Sequence, residues 1–467
     1  ALPICEIVLD ALQMGNVFLT GGAGVGKTYT TREIIKAYEK LNKNVIVLAS
    51  TGIAAVSLGG QTVHSFLKFG IAKTLPELLS SSMRPHHRKE LRMIVSIIDL
   101  LIIDEISMIS AGVMEMIEYR LEQFGFNGRM MVVGDFLQLP PVRRHDEEKR
   151  LMWQYKIEEH ERERYFGYAF ESPTWKDYDF ETIEFTEIKR TKDHDFAKIL
   201  NTIREGVYER PVYDFMVELI RAKHEHSVTR LIATNAKVKN YNESKLNEGE
   251  KAIVLIQAKV TTLESKTDIS KSVDKFLHNI PVEAELKLRI GAPILFTINS
   301  GEYKNGERGV IKEILHDEKK GYSLIVTKEC GSDVEVKPFI FEMKTYDIKE
   351  DEKGEKIIEE RAIADVSQLP VRLAWSITIH KSQGMSIDAL EISLDEIFEK
   401  SQFYVALSRA TSKKGVKLLT NKRPKELHYW LHNMIGADPK VVDFYEEAKH
   451  PASVQQTFKQ QLSKDLF

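Results

Sequence analysis

Hydrophobic residues in this chain gather into short unbroken runs. Residues 16–20 (NVFLT), Val45–Ala49, 99–103 (DLLII) and 130–133 (MMVV) are apolar over most of four or five positions. Longer mixed segments separate them, among them residues 29–41, which read as a helix. Runs without polar alternation are strands buried on both faces, and strands alternating with helices build a parallel sheet covered by helices. The pattern resumes near residue 182, with strands expected over 230–235 (RLIATN), 374–378 and Val416–Leu419. Between about 306 and 370 the character changes. Strand-like stretches at 310–315, 322–327 and 334–336 are joined by tight polar turns, the last of them ECGSD at 329–333. This predicts a small β-barrel or meander inserted in the second αβ region.

Two segments break the alternation. Residues 68–96 are locally basic, with Lys68, Lys73, Arg84, Arg88, Lys89 and Arg92 against Glu77 and Glu90. Residues 143–165 are dense in charge of both signs and read as a surface helix or ordered insertion without assigned chemistry. The expected organisation is a first αβ domain over 1–180 and a second over 181–305 and 371–435. The β insertion takes 306–370, and a C-terminal helical segment takes 436–467.

Composition adds bounds. The 467 residues exceed one ordinary core, so roughly two to four domains are expected. Two cysteines, Cys5 and Cys330, make no disulfide framework or metal cluster and read as packing residues of a reducing compartment. No run is apolar enough to span a bilayer, and the start lacks the layout of a signal peptide, so a cytoplasmic protein without a membrane partner is expected. A net charge of −3 neither points to nucleic acid nor excludes it, since a basic groove can be local.

The chemistry starts at Gly21-Gly22-Ala23-Gly24-Val25-Gly26-Lys27-Thr28, between the first strand and the first helix. Glycines let a backbone wrap a phosphate, and the following helix adds free N–H groups and a positive dipole end. Lys27 reaches the β- and γ-phosphates of a nucleoside triphosphate, and the Thr28 hydroxyl ligates Mg²⁺. Asp104 and Glu105 stand at the end of the apolar run LLII. Asp104 suits a Mg²⁺ ligand, and Glu105 suits the base that activates the attacking water. Gln138, in GDFLQLPPV after the fourth strand, is a neutral hydrogen-bonding group placed to sense the γ-phosphate.

The residue order beyond these positions resembles superfamily-one helicases of the branch that moves 5′ to 3′ on single strands. It is most similar to the Pif-type DNA helicases, with RecD-like and phage Dda-like enzymes as relatives. The resemblance rests on GAGVGKT (22–28), ASTGIAA (49–55), GQTVHSF (60–66), IDEISM (103–108) and GDFLQLP (134–140). It continues through FESPTW (170–175), LP and LAW (369–370, 373–375), TIHKSQG (378–384) and YVALSRA (404–410), so it spans almost the whole chain in order.

The resemblance implies two RecA-like parallel-sheet domains with a wedge insertion at about 67–96 and an SH3-like barrel at 306–370. It implies ATP and Mg²⁺ as cofactors, with single-stranded DNA and duplex junctions as partners of a monomeric motor. RNA–DNA hybrids and quadruplexes are further candidate substrates. Arg409, in YVALSRA, takes the place of an arginine finger, and Arg190, in EIKRT, that of a second arginine. A bidentate guanidinium stabilises charge accumulating on phosphoryl oxygens. Tyr29, Gln383 and Gly384 fall beside the nucleotide. Thr51, Thr62, His64 and Phe66 of the first domain, with Asn235, His380 and Lys381 of the second, match positions along the single-strand channel. There, hydroxyls and N–H groups grip phosphates and rings stack on bases.

Three departures stand out. The upstream glutamine that reads adenine is missing from CEIVLD (5–10), which reads as a trimmed start and leaves adenine specificity open. Thr191 stands where the family usually has glutamine. The arginine-rich segment of eukaryotic members is absent between Met108 and Met130, which suggests a bacterial or phage-type, nucleoid-associated member. Three alternatives remain at this stage: a translocase that strips proteins from DNA, a nucleotide-switched binding module, and a small-molecule kinase that would leave the second half unexplained.

Overall fold

The computed structural model describes residues 2–223, 228–263, 269–319, 321–352 and 354–448. Two parallel sheets form its frame. The first contains β1 (Val17–Gly21), β2 (Val45–Ala49), β3 (Gln61–Thr62), β4 (Leu100–Asp104), β5 (Arg129–Val133) and β6 (Glu181–Phe185), in the order β3-β2-β4-β5-β1-β6. Every pairing in it is parallel. The apolar runs serve both faces, as their lack of alternation requires. Phe18, Ile46, Leu48, Leu101, Ile103, Met130 and Val132 face one core, while Val17, Leu19, Val47, Leu100, Ile102, Met131 and Val133 face the other.

β6 is a departure from the expected organisation. Residues 181–185 were read as the start of the second αβ region, yet they pair with β1 along its full length, Val17 opposite Glu181 through Gly21 opposite Phe185.

β7 (Thr229–Ile232) opens the second sheet. The chain then leaves it for ten strands: β8 (Val254–Gln257), β9 (Lys259–Thr262), β10 (Glu285–Leu288), β11 (Pro293–Phe296), β12 (Arg308–Asp317), β13 (Gly321–Lys328), β14 (Asp333–Val336), β15 (Phe339–Glu350), β16 (Lys356–Gln368) and β17 (Val371–Leu373). It returns through β18 (Ser376–Thr378), β19 (Leu390–Ser393) and β20 (Val416–Leu419), giving the all-parallel order β18-β7-β19-β20.

The excursion is larger than residues 306–370. A five-stranded antiparallel sheet, β14-β13-β12-β11-β17, takes in β11 and β17 from outside that range. Its core, around Ile294, Phe296, Ile311, Leu324 and Val371, also includes Ile256 and Leu286 from β8 and β10. β15 and β16 form a long hairpin paired through β16 to β9. The hairpin reaches the first sheet's core, which Tyr346, Ile348 and Ile358 join. Asn44 ties it down by accepting from the Ile358 amide at 2.7 Å and donating to the Lys356 carbonyl at 3.1 Å.

The basic segment 68–96 contains helices Leu75–Leu79 and Pro85–Val95, with Leu78, Leu91, Ile94 and Val95 in the first core and Arg88, Lys89 and Arg92 exposed. The segment 143–165 is an ordered insertion. Its helix His145–Tyr155 is pinned by the buried Glu148, which accepts from Arg143 at 2.9 Å and Arg162 at 2.8 Å. Helix Pro424–Met434 packs Leu427 and Leu431 on the second sheet, whereas helix Pro439–Ala448 crosses back and buries Val441 and Tyr445 in the first core. The rest of the expected C-terminal segment, 449–467, lies outside the described residues. Cys330 is exposed in the β13–β14 turn and so is not a packing residue. No helix among the described residues is long and apolar enough to cross a membrane.

Candidate active site

β1 ends at Gly21, and the helix Lys27–Lys40 begins at the lysine of the phosphate loop. Gly24 (φ 79°) and Gly26 (φ 102°) hold the left-handed conformation that only glycine adopts freely. Gly24 has a second constraint, because a Cβ there would lie 2.5 Å from the Cβ of Arg190. The amides of Lys189 and Arg190 donate to the Gly24 carbonyl at 2.8 and 3.2 Å, so the segment between β6 and Arg190 is docked on the loop. The Lys27 ammonium donates to the carbonyls of Gly21 (2.5 Å) and Gly22 (3.0 Å). Burial pushes its pKa down, opposed by Asp135, Glu105 and Asp104. Thr28 and Tyr29 lie exposed on the first turn of the helix.

β4 delivers Asp104, 8% exposed, to the same sheet edge. Glu105 turns there with φ 53°, a conformation costly for a non-glycine residue and common where a site dictates the backbone. Its amide donates to the Asp104 carboxylate at 2.9 Å. Burial, and then the Glu105 charge, push Asp104 up to about 7. Burial also pushes Glu105 up, against the opposing pull of Lys27 and Arg409.

The sign of the consequence follows from linkage. Asp104 keeps its proton in the folded state at pH values where the unfolded chain has lost it, so stability falls as pH rises from the ordinary carboxylate range to about 7. Asp104→Asn removes that cost. The nucleotide-free variant is expected to melt several degrees above wild type near about pH 8 and to exceed it by clearly less near about pH 5. Thermal melts of both proteins check this, and an equal gain at both pH values contradicts it.

Gln138 is buried, and its amide donates to Asp135 at 3.2 Å. Asp135 is the hub of a group that motif spacing did not reveal. Arg204, last residue of helix His194–Arg204, grips both its oxygens at 2.9 and 3.0 Å and also reaches Glu184 at 3.2 Å. Arg204 holds the Asp135 carboxyl below the usual range despite burial. The available signal was an arginine closing the apolar stripe Phe196, Leu200, Ile203, where a charge stays buried only if paired. Tyr404, from helix Lys400–Leu407, was also unassigned. Its hydroxyl accepts from the Ala23 amide of the phosphate loop at 3.0 Å.

Arg409 approaches from the second sheet's side, and Arg190, on the segment that follows β6 of the first sheet, reaches across to it. Arg190 donates to the Ser408 carbonyl at 2.7 Å, and burial followed by the nearby Arg409 pushes its pKa down to about 9. Arg409 is 2% exposed and is held by the Val405 carbonyl (2.9 Å) and the Ser408 hydroxyl (2.9 Å), with Glu105 among the charges that bear on it. The Gln383 side-chain nitrogen is buried with no partner among the described residues, beside Gly384 at φ 75°. Lys27, Asp104, Glu105 and Gln138 at the first sheet's edge therefore face Arg409 and Tyr404 from the second sheet's side, with Arg190 on the segment leaving β6 between them.

The expected channel residues are placed less uniformly. Thr51 and Thr62 cap short helices, their hydroxyls accepting from the Ala54 and Ser65 amides at 3.3 Å each. His64 is half-buried, contacts the Ala72 carbonyl at 3.2 Å and is pushed down in pKa by burial. Asn235 is exposed at the start of helix Asn235–Asn247. His380 and Lys381 are half-buried, with burial lowering both pKa values. Phe66 departs from its expected role. It is 3% exposed and meets Tyr346 of the β15–β16 hairpin edge to face at 5.6 Å, so in this conformation it is a core residue with no face open to a base.

Residues 4–213 match the profile of the PIF1-like helicases. The chain is 38% identical over 448 residues to the ATP-dependent DNA helicase Pif1 of Campylobacter jejuni, covering 93% of this chain and 95% of that protein. The chain belongs to the PIF1-like helicase family. Family membership extends to the three-dimensional arrangement. Unliganded Pif1 from Bacteroides sp superposes with a TM-score of 0.75 at 27% identity, covering 97% of this chain and 96% of that one. Bacteroides Pif1 bound to ssDNA gives 0.60 at 28% identity, covering 95% and 96%. The DNA-bound relative thus superposes less closely than the unliganded one.

Proposed function

We infer that the chain is an ATP-dependent DNA helicase whose hydrolytic site is assembled between two RecA-like lobes. The observation that carries this reading is the convergence at one phosphate loop of Lys27, Glu105 and Gln138 from the first sheet and Arg409 from the second, with Arg190 linking the loop to the Ser408 carbonyl beside Arg409. By sheet membership, one lobe is built on β1–β6 and the other on β7 and β18–β20, with the β8–β17 excursion set into the second.

ATP binds with its phosphates on Val25, Gly26, Lys27 and Thr28, where the helix N-terminus favours anions. Thr28 and Asp104 offer oxygen donors suited to Mg²⁺, which would offset the burial, and then the Glu105 charge, that raise Asp104. Glu105 orients the attacking water, and Gln138 reports the γ-phosphate to Asp135. Arg409 and Arg190 neutralise charge on the phosphoryl oxygens. Because Arg409 rides on the far lobe and meets Arg190 there through the Ser408 carbonyl, hydrolysis and opening of the cleft are linked, and the linked motion advances the protein along DNA. Thr51, Thr62, His64, Asn235, His380 and Lys381 contact the strand, and a single copy acts as the motor.

Translocation runs 5′ to 3′. Duplexes with a 5′ single-stranded tail are expected to unwind with ATP and Mg²⁺, whereas 3′-tailed duplexes stay intact. Strand separation on a gel checks this, and unwinding from a 3′ tail alone contradicts the polarity.

A further inference from the structure

The C-terminal strap carries a group that the catalytic scheme has not used. After helix Pro424–Met434 the chain threads past Gly206, where a Cβ would lie 2.2 Å from the Ala437 nitrogen, and enters helix Pro439–Ala448 over the first lobe. Phe444 stacks on Phe170 at 4.4 Å and meets Phe136 edge to face at 5.4 Å, which seats the helix. Tyr445 then places its hydroxyl between the ends of two strands. It lies 2.7 Å from the Thr20 hydroxyl at the end of β1, accepts from the Phe136 amide at 3.2 Å and donates to the Asp135 carboxylate at 3.3 Å. One assignment of protons satisfies every member: Thr20 and the Phe136 amide donate to the tyrosine oxygen, and the tyrosine donates to Asp135. Burial and the Asp135 charge hold the phenol protonated, so it remains a donor across the working pH range.

Each neighbour leads to a reacting position. Thr20 precedes Gly21, whose carbonyl takes the Lys27 ammonium, and Asp135 takes the Gln138 amide and the Arg204 fork from the other lobe. A phenylalanine would leave the Phe136 amide and the Thr20 hydroxyl without this partner, though it would pack equally well.

We propose that Tyr445 is a positioning residue for ATP hydrolysis, its hydroxyl locking the phosphate loop and the Gln138 loop in register and tying both to the C-terminal strap. The proposal rests on Gln138 acting at the γ-phosphate, and Gln138→Ala alone tests that reading separately.

The experiment measures kcat and KM for ATP at saturating oligo-dT, with melting temperatures. Tyr445→Phe is expected to lower kcat about tenfold while KM stays within about twofold, because a displaced catalytic group costs turnover more than binding. In a Gln138→Ala background the same change is expected to cost nothing further, as residues acting as one unit are non-additive. Phe444→Leu removes packing but leaves the hydroxyl, so it lowers the melting temperature and keeps kcat. A Tyr445→Phe kcat within about twofold of wild type, or an equal loss in both backgrounds, overturns the proposal. If Tyr445→Phe fails to fold, Thr20→Val removes the opposite partner of the same hydroxyl. A several-fold lower kcat at unchanged KM then supports the proposal, and an unchanged kcat overturns it.

Discussion

Arg409→Lys is expected to reduce DNA-stimulated ATP hydrolysis by about 10³-fold or more, the scale on which arginine fingers act. Lysine keeps the charge but loses the planar fork, and the fork is what this site uses. One edge of the Arg409 guanidinium is spent on the Val405 carbonyl and the Ser408 hydroxyl, which fix its direction, while the group sits within the field of Glu105 across the cleft. Its burial costs free energy that an anionic partner would offset, and charge building on the phosphoryl oxygens supplies that partner most strongly at the transition state. ATP affinity, measured with a fluorescent nucleotide in the absence of turnover, should change far less than kcat. A variant hydrolysing within about tenfold of wild type would remove Arg409 from the catalytic set.

Glu105→Gln is expected to lower kcat by about 10²–10⁴-fold, the range for losing a positioned general base. Burial makes a carboxylate expensive at Glu105 even against the pull of Lys27, and the change to an amide keeps size while removing the charge. With one carboxylate gone, Asp104 loses its largest electrostatic penalty after burial, so nucleotide binding should be retained or tightened. Single-turnover hydrolysis with pre-bound ATP separates the two effects. Normal hydrolysis by this variant would end the assignment of Glu105.

Lys27, Asp104 and Glu105 were legible in the sequence because local rules place them, whereas Arg409 was reached through the family resemblance. An apolar run such as LLIID has to end at a sheet edge, and a glycine loop followed by a helix has to start at Lys27, so Asp104 and Lys27 were fixed by their neighbours in the chain. What was hidden depends on distant partners. Arg204 and Asp135 are 69 positions apart, and Tyr445 and Thr20 are 425 apart. No local periodicity encodes either meeting. Phe66 sits within the motif GQTVHSF, but its burial is decided by Tyr346, on a hairpin whose alternating pattern marks it as β without marking where it docks. β6 was assigned to the wrong sheet for a similar reason. ETIEF is a short, half-exposed edge strand, and edge strands carry little sequence information about which neighbour they join.

The central claim is that the phosphate loop is one jaw of a site completed by the second lobe, and that DNA governs this completion. The most direct test is the rate of ATP hydrolysis with and without oligo-dT. A large acceleration by the single strand, about tenfold or more and lost in Arg409→Lys, is the predicted result. An ATPase rate that oligo-dT leaves unchanged would contradict the account.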